Sequence, residues 1–266
     1  MKTIYLKELR LTRKLLVIWL VLIVMLTGFA AIEFIVLKDT MGEIAAMTGS
    51  LPKIILILFG LNGVKVDTPL GAYQCMVFWT GLLAFFYAGF SGVFAVAREE
   101  KFGTGEFLFS KPYKRSSIIW AKIGAAITNL GIFSLTAGIM SYLCIILPLG
   151  DPGITPTHIA ATAGMFLTQI VLFATGLFIS SLAKNYKAAS LFTMLAVTAF
   201  YGISFALDYA GIRNFLNVLT PISYFNVVWV SENGLSPFYT LLSLGLILAC
   251  CSMAAGFYER KDLCAS

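Results

Sequence analysis

Charge is scarce in this sequence. Asp, Glu, Lys and Arg make up 12% of its 266 residues, about half the share of an ordinary soluble domain, so few ionic groups are present to cover a water-facing surface. Histidine is nearly missing. His158 is the only one, and a lone imidazole beside Thr157, far from any nucleophile, suits an interface position better than a catalytic one. No Gly-rich turn runs into Lys-Ser or Lys-Thr, so backbone amides and an ammonium cannot converge on phosphate groups. Gly103-Thr104-Gly105 has no third glycine and no lysine in register. The chain by itself is therefore expected neither to bind nor to hydrolyse a nucleotide, and to carry no cofactor. Cys75, Cys144, Cys250, Cys251 and Cys264 have no metal-site spacing and read as apolar filler.

Carboxylates are also missing from the middle of the apolar stretches. Glu33 and Asp208 fall near the ends of theirs, which leaves Gln74, Asn129, Thr168 and Gln169 as the polar groups further in. A charge held mid-membrane costs several kcal/mol and is kept for a function, so a proton or sodium relay lacks its acids here. Thr168 and Gln169 are candidates for a solute path, with helix–helix hydrogen bonding as the competing role.

What the chain has in abundance is apolar length. Hydrophobic residues make up 59% of it, in continuous runs near twenty residues long, enough to cross a hydrocarbon core about 30 Å thick. Continuous rather than alternating runs point to helices, which satisfy their own backbone hydrogen bonds in lipid. The expected fold is an all-α integral membrane protein with about six spans, near 15–37, 71–96, 118–147, 158–182, 188–208 and 236–258. Two further apolar pieces, 51–61 and 215–230, are too short or too polar to cross and are expected to be interfacial or re-entrant. On the second span Thr80, Ala84, Ala88 and Gly92 recur every fourth position, a face another helix can approach closely.

The net charge of +6 is unevenly placed. With the N terminus inside, fifteen of the 19 Lys and Arg fall on the inner side, and only Lys38, Lys53, Lys65 and Arg213 fall outside. This is a positive-inside bias rather than a nucleic-acid footprint, and it puts both termini in the cytoplasm. Within residues 1–14, Lys2, Lys7, Arg10, Arg13 and Lys14 share one helical arc, while Ile4, Tyr5, Leu9 and Leu11 share the other. That pattern predicts a short helix lying in the membrane surface against anionic lipid. A signal peptide, with Leu15 to Thr27 as its apolar region, is the competing reading. The apolar run continues past Ile32, far enough to span.

The most informative stretch follows the second span. Arg98, Glu99, Glu100 and Lys101 form a charged collar, Gly103-Thr104-Gly105 a turn, and Thr104 a cap for a short helix ended by Pro112. Phe107, Leu108 and Phe109 would then be exposed between charges, as a protein-docking knob requires. The run Glu99, Gly103-Thr104, Glu106-Phe107-Leu108, Lys111-Pro112 and Arg115, followed by Lys122, resembles the loop between spans two and three of ABC-2-type permeases, including bacterial members of the sodium-exporter and bacitracin-resistance type. Gly105 stands where many relatives have a larger residue.

The resemblance implies one transmembrane unit over 1–266, serving as the permease subunit of an ATP-driven exporter in a bacterial cytoplasmic membrane. ATP and magnesium would be held by a separate cytoplasmic ATPase subunit, and a second permease chain would complete the membrane part. The coupling helix maps to about residues 103–110. Arg98, Glu99, Glu100, Gly103, Thr104, Glu106, Phe107, Leu108, Pro112 and Arg115 would make the ATPase-coupling interface within the 97–117 loop. The basic start, with Lys7, Arg10 and Arg13, maps to an elbow helix beside it. An apolar path with scattered hydroxyls, rather than the resemblance, suggests an amphipathic or peptide-like substrate. An ion-coupled secondary transporter and a non-transporting anchor or assembly subunit are the alternatives.

Overall fold

The computed structural model describes residues 2–37, 40–103, 115–149, 152–212 and 215–260. Six of its helices are long and apolar enough to cross a membrane. These are α1 (Lys2–Leu37), α4 (Pro69–Lys101), α5 (Arg115–Ser141, continued as a π-turn to Ile146), α6 (Thr155–Leu182), α7 (Tyr186–Ala210) and α9 (Pro237–Arg260). The fold is that of an all-α integral membrane protein. Shorter helices α2 (Met41–Gly49), α3 (Lys53–Leu58) and α8 (Val227–Asn233) belong to the connections. The stretch 51–61 contains only α3. The stretch 215–230 breaks into 3₁₀ turns at Phe215–Leu219 and Pro221–Ser223 before α8, and neither stretch is among the spans.

The basic start joins the first span without a break, as α1 runs from Lys2 to Leu37. No glycine or proline interrupts it before Gly28, and at 1.5 Å per residue it is about 54 Å long, well beyond the hydrocarbon core. The arc of bases is real, since Lys2, Lys7, Arg10, Arg13 and Lys14 are all exposed. What the opposite side meets is protein: Ile4, Glu8 and Leu16 are buried. Tyr5 shares a hydrogen bond with Thr128 (2.9 Å), and Asn129 donates to Thr12 (2.7 Å), which sews α1 to α5.

The centre of the bundle is the crossing of α4 and α6. Thr80, Ala84, Ala88 and Gly92 are buried, and the two backbones nearly touch. A Cβ on Gly92 would lie 2.3 Å from the Phe173 carbonyl oxygen, and one on Gly176 would lie 2.5 Å from the Gly89 oxygen. Tyr87, Phe133, Leu172 and Leu177 fill the surrounding core. A second cluster, including Ala31, Tyr73, Ile146 and Tyr224, closes the end away from the N terminus. There the Tyr224 hydroxyl donates to the Val218 carbonyl (2.6 Å). Burial first, and the neighbouring Tyr239 second, push the Tyr224 phenol up to about 12, so it stays a donor at physiological pH.

Candidate functional site: the charged collar

Residues 98–101 are four consecutive charges at the end of α4, and helical geometry sends them two ways. Arg98 and Glu99 turn inward. Arg98 grips Glu8 of α1 with both terminal nitrogens, Nη1 to Oε2 at 2.8 Å and Nη2 to Oε1 at 2.9 Å. Its Nη2 also reaches Glu99 Oε1 at 3.2 Å. Lys122 of α5 donates to the same Glu99 oxygen at 2.6 Å and stands 3.9 Å from Glu8. Relative exposures are 7% for Arg98, 3% for Glu99, 1% for Lys122 and 4% for Glu8. Two cations and two carboxylates balance, and each charge has an opposite charge in direct contact. That arrangement is the condition for keeping ions out of water.

Glu100 and Lys101 turn toward the corner between α6 and α7. Glu100 Oε1 accepts the Tyr186 backbone amide at 3.0 Å, and Asn185 Oδ1 accepts from the Ala188 amide at 2.8 Å. The start of α7 is thus capped by a side-chain oxygen and faced by a carboxylate, both favourable at the positive end of a helix. Lys101 Nζ donates to the Tyr186 hydroxyl at 3.2 Å and lies 4.5 Å from that ring's centre. Phe94 and Phe102 approach it at 5.4 and 5.6 Å. Arg115, at the start of α5, donates to the Glu259 carbonyl of α9 at 3.1 Å. A cation there complements the negative end of that helix. The last turn of α4 and the first of α5 therefore hold α1, α7 and α9 at one end of the bundle.

The sequence-derived coupling residues divide accordingly. Arg98 and Glu99 are buried within the chain, Glu100 and Arg115 are half-buried and bonded to α7 and α9, and Gly103 is exposed. Gly103 adopts φ +63°, a left-handed turn that suits glycine and lets the chain leave α4. Thr104, Glu106, Phe107, Leu108 and Pro112, and with them the expected short helix, lie outside the described residues. Lys7, Arg10 and Arg13 are exposed on the side of α1 away from the ion cluster.

Thr168 and Gln169 are buried where α6 meets its neighbours. Thr168 donates to the Gly164 carbonyl at 3.1 Å, and Gln169 Oε1 accepts from Ser134 of α5. Neither lines the cavity between α4 and α7. His158 is buried and shares a hydrogen bond with the Tyr73 hydroxyl through Nδ1 (3.1 Å).

Sequence reasoning gave no site role to Glu8, Lys122 or Tyr186. A signal existed for the first two: Glu8 is the only acid in the basic start, and Lys122 lies inside an apolar run. Only tertiary contact shows that they meet.

The collar's buried ion cluster thus lies at one end of a six-span helical bundle, directly ahead of the 104–114 connection. The family model described as ABC-2 family transporter protein matches residues 2–263. The chain belongs to the ABC-2 transporter family. No match to a curated protein was found. An ABC-2 permease is a membrane transport subunit rather than an ATPase, and such permeases generally work with a cytoplasmic ATPase and a partner permease. The collar of this ABC-2 permease thus stands next to the stretch whose sequence resembles the family's coupling loop.

Proposed function

We propose that this permease is the membrane half of an ATP-driven exporter, moving an amphipathic or peptide-like compound across a bacterial cytoplasmic membrane. Two permease chains pair with two separate cytoplasmic ATPase subunits, which hold ATP and magnesium. The single observation that supports this most is the collar itself. The residues immediately before the 104–114 stretch are tied by ion pairs to α1 and α5 and by hydrogen bonds to α7, so a push on that stretch reaches three spans together. Orientation follows from the positive-inside bias: the collar end, with both termini, faces the cytoplasm. ATP-driven closure of the partner biases the bundle between inward- and outward-facing states. The bias equals the difference in the partner's affinity for the two.

The proposal makes a specific demand on the loop. Glu106→Arg and Phe107→Ala, each introduced alone, are expected to leave membrane insertion intact and to uncouple ATP hydrolysis from transport. Proteoliposomes containing permease and ATPase, assayed for both activities, measure this. Wild-type transport in both variants would refute the docking role.

A further inference from the structure

On the outside of the bundle, in the half away from the collar, α5 and α6 leave a furrow of about 650 Å³ between them, within the size range of small-molecule sites. Small residues give it depth: Gly131 and Gly138 of α5, Thr162 and Ala163 of α6. At Gly138 a Cβ would come 3.0 Å from the Thr162 methyl, so the two helices lie close there. The rim is apolar. Leu135, Ile139 and Leu143 of α5 and Ile159 of α6 line it, and all four are exposed. From Gly131 to Leu143 the lining residues of α5 form one helical stripe. At 1.5 Å per residue this stripe is about 18 Å long, close to one leaflet of a hydrocarbon core about 30 Å thick.

Toward the far end the furrow turns polar, with Tyr142, His158 and Thr162 on its walls. His158 is 8% exposed. Its Nδ1 is engaged by the Tyr73 hydroxyl at 3.1 Å, which leaves Nε2 as the second nitrogen of the ring. An imidazole that accepts at Nδ1 carries its proton on Nε2 and donates from there. The Tyr142 ring stands 5.9 Å from the His158 ring. Tyr142 also opens the π-turn Tyr142–Ile146, a rare departure from the α-helix that concentrates at functional sites. Among the described residues no hydrogen bond holds His158 Nε2 or the hydroxyls of Tyr142 and Thr162. Tyr142 is exposed, and neither His158 Nε2 nor Thr162 Oγ1 is enclosed. Polar atoms left unpaired in hydrocarbon cost free energy that a ligand's polar group would recover.

We infer that this furrow binds one acyl chain of an ester-linked membrane lipid. The ester carbonyl sits at Tyr142, His158 and Thr162, and the chain lies along α5 toward Gly131. The length of the furrow, its apolar rim and the polar groups gathered at one end all match a lipid of that leaflet. A helix of a second copy satisfies its own backbone groups and brings no carbonyl to these three. The inference needs only that the chain spans a membrane, and it is independent of the exporter reading.

The test is native mass spectrometry of the full chain, delipidated in detergent and titrated with dioleoylphosphatidylcholine, whose headgroup has no net charge to draw it to the exposed bases of α1. Its dialkyl ether analogue, which lacks only the two ester carbonyls, is the counterpart. The first ester-lipid adduct is expected to form about tenfold more tightly than the first ether-lipid adduct, the scale of one or two hydrogen bonds. Tyr142→Phe combined with Thr162→Val removes two hydroxyls at nearly constant volume and should weaken the ester adduct by about the same factor. Gly131→Leu should abolish it. A Cβ there stands 3.9 Å from the Phe166 ring, an ordinary contact, and the rest of the side chain enters the furrow. Equal affinity of the parent for the two lipids would overturn the inference, and that comparison needs no variant. So would ester binding unchanged by both sets of substitutions, or a parent that self-associates through α5 and α6 and excludes lipid. No ATPase enters this assay. Failure here leaves the exporter reading standing, and failure of ATP-driven transport leaves this inference standing.

Discussion

Replacing Lys122 with methionine is expected to destabilise the protein by about 3–5 kcal/mol, the cost of leaving one member of a buried ion cluster unpaired. The reason lies in the geometry. Lys122 is 1% exposed and stands 2.6 Å from Glu99, so its removal leaves Glu8 and Glu99 sharing Arg98 alone, with one negative charge uncompensated in a medium that hydrates it poorly. Arg98→Met should do comparable damage by stripping Glu8 of its two-pronged partner. The double variant Glu99→Gln with Lys122→Met removes one charge of each sign and should recover most of the loss, since a buried pair replaced by neutral groups is often close to neutral. Equilibrium unfolding in mixed micelles, read as a double-mutant cycle, measures all of these. A single Lys122→Met cost below about 1 kcal/mol, with no recovery in the double variant, would mean that the cluster does not hold the helix ends together.

Gly92→Ala is the second large effect, and its sign runs against helix propensity. Adding one methyl to a helical glycine ordinarily stabilises by about 0.5–1 kcal/mol. At Gly92 the new Cβ would be forced to 2.3 Å from the Phe173 carbonyl oxygen and 2.6 Å from the Leu177 amide nitrogen. Both are backbone atoms of α6 and cannot swing aside, so α4 and α6 have to separate. The expected cost is about 1–3 kcal/mol of overpacking, with a lower yield of monodisperse protein. Gly245→Ala is the internal control, because a Cβ there meets nothing within 4 Å, and it should be neutral or slightly stabilising. Equal melting temperatures for Gly92→Ala and Gly245→Ala would contradict the close crossing.

These predictions separate what could be read from the chain from what could not. The spans were legible because lipid imposes a length and an apolar content that composition alone reveals, and the Thr80-to-Gly92 stripe was legible because close approach needs small residues at a fixed spacing. The unbroken α1 was not. The bases at Lys7, Arg10 and Arg13 dominate the pattern of its first turns and suggest a surface helix, while Glu8, the residue that fastens α1 to α4, is a single letter among them. Lys122 entered the sequence reading as an inner-side base and as the last residue of the permease-like run, since nothing local says that it points at Glu99. The collar shows the same limit. Arg98 and Glu99 look like an exposed docking surface when read in line, and three-dimensional contact turns them inward and leaves Glu100 and Lys101 to hold α7.

The polar face of α7 illustrates a different failure. Thr198, Tyr201, Ser204 and Asp208 share one face of α7 and line a cavity with α4, yet the sequence marks Asp208 only as an acid near the end of its span. Its place on a cavity wall depends on the fold of 215–227, a stretch of 3₁₀ turns whose path no periodicity encodes.

The central claim is that this ABC-2 permease moves its solute at the expense of ATP hydrolysed by a separate subunit. Reconstitution of the chain in proteoliposomes, with and without a partner ABC ATPase subunit, tests that most directly, with flux of a labelled amphipathic peptide followed on addition of ATP. The account predicts ATP-dependent flux only when both subunits are present, and no ATP binding by the permease alone. ATP binding by the purified chain, or ATP-independent flux driven by an ion gradient through the chain alone, would contradict it.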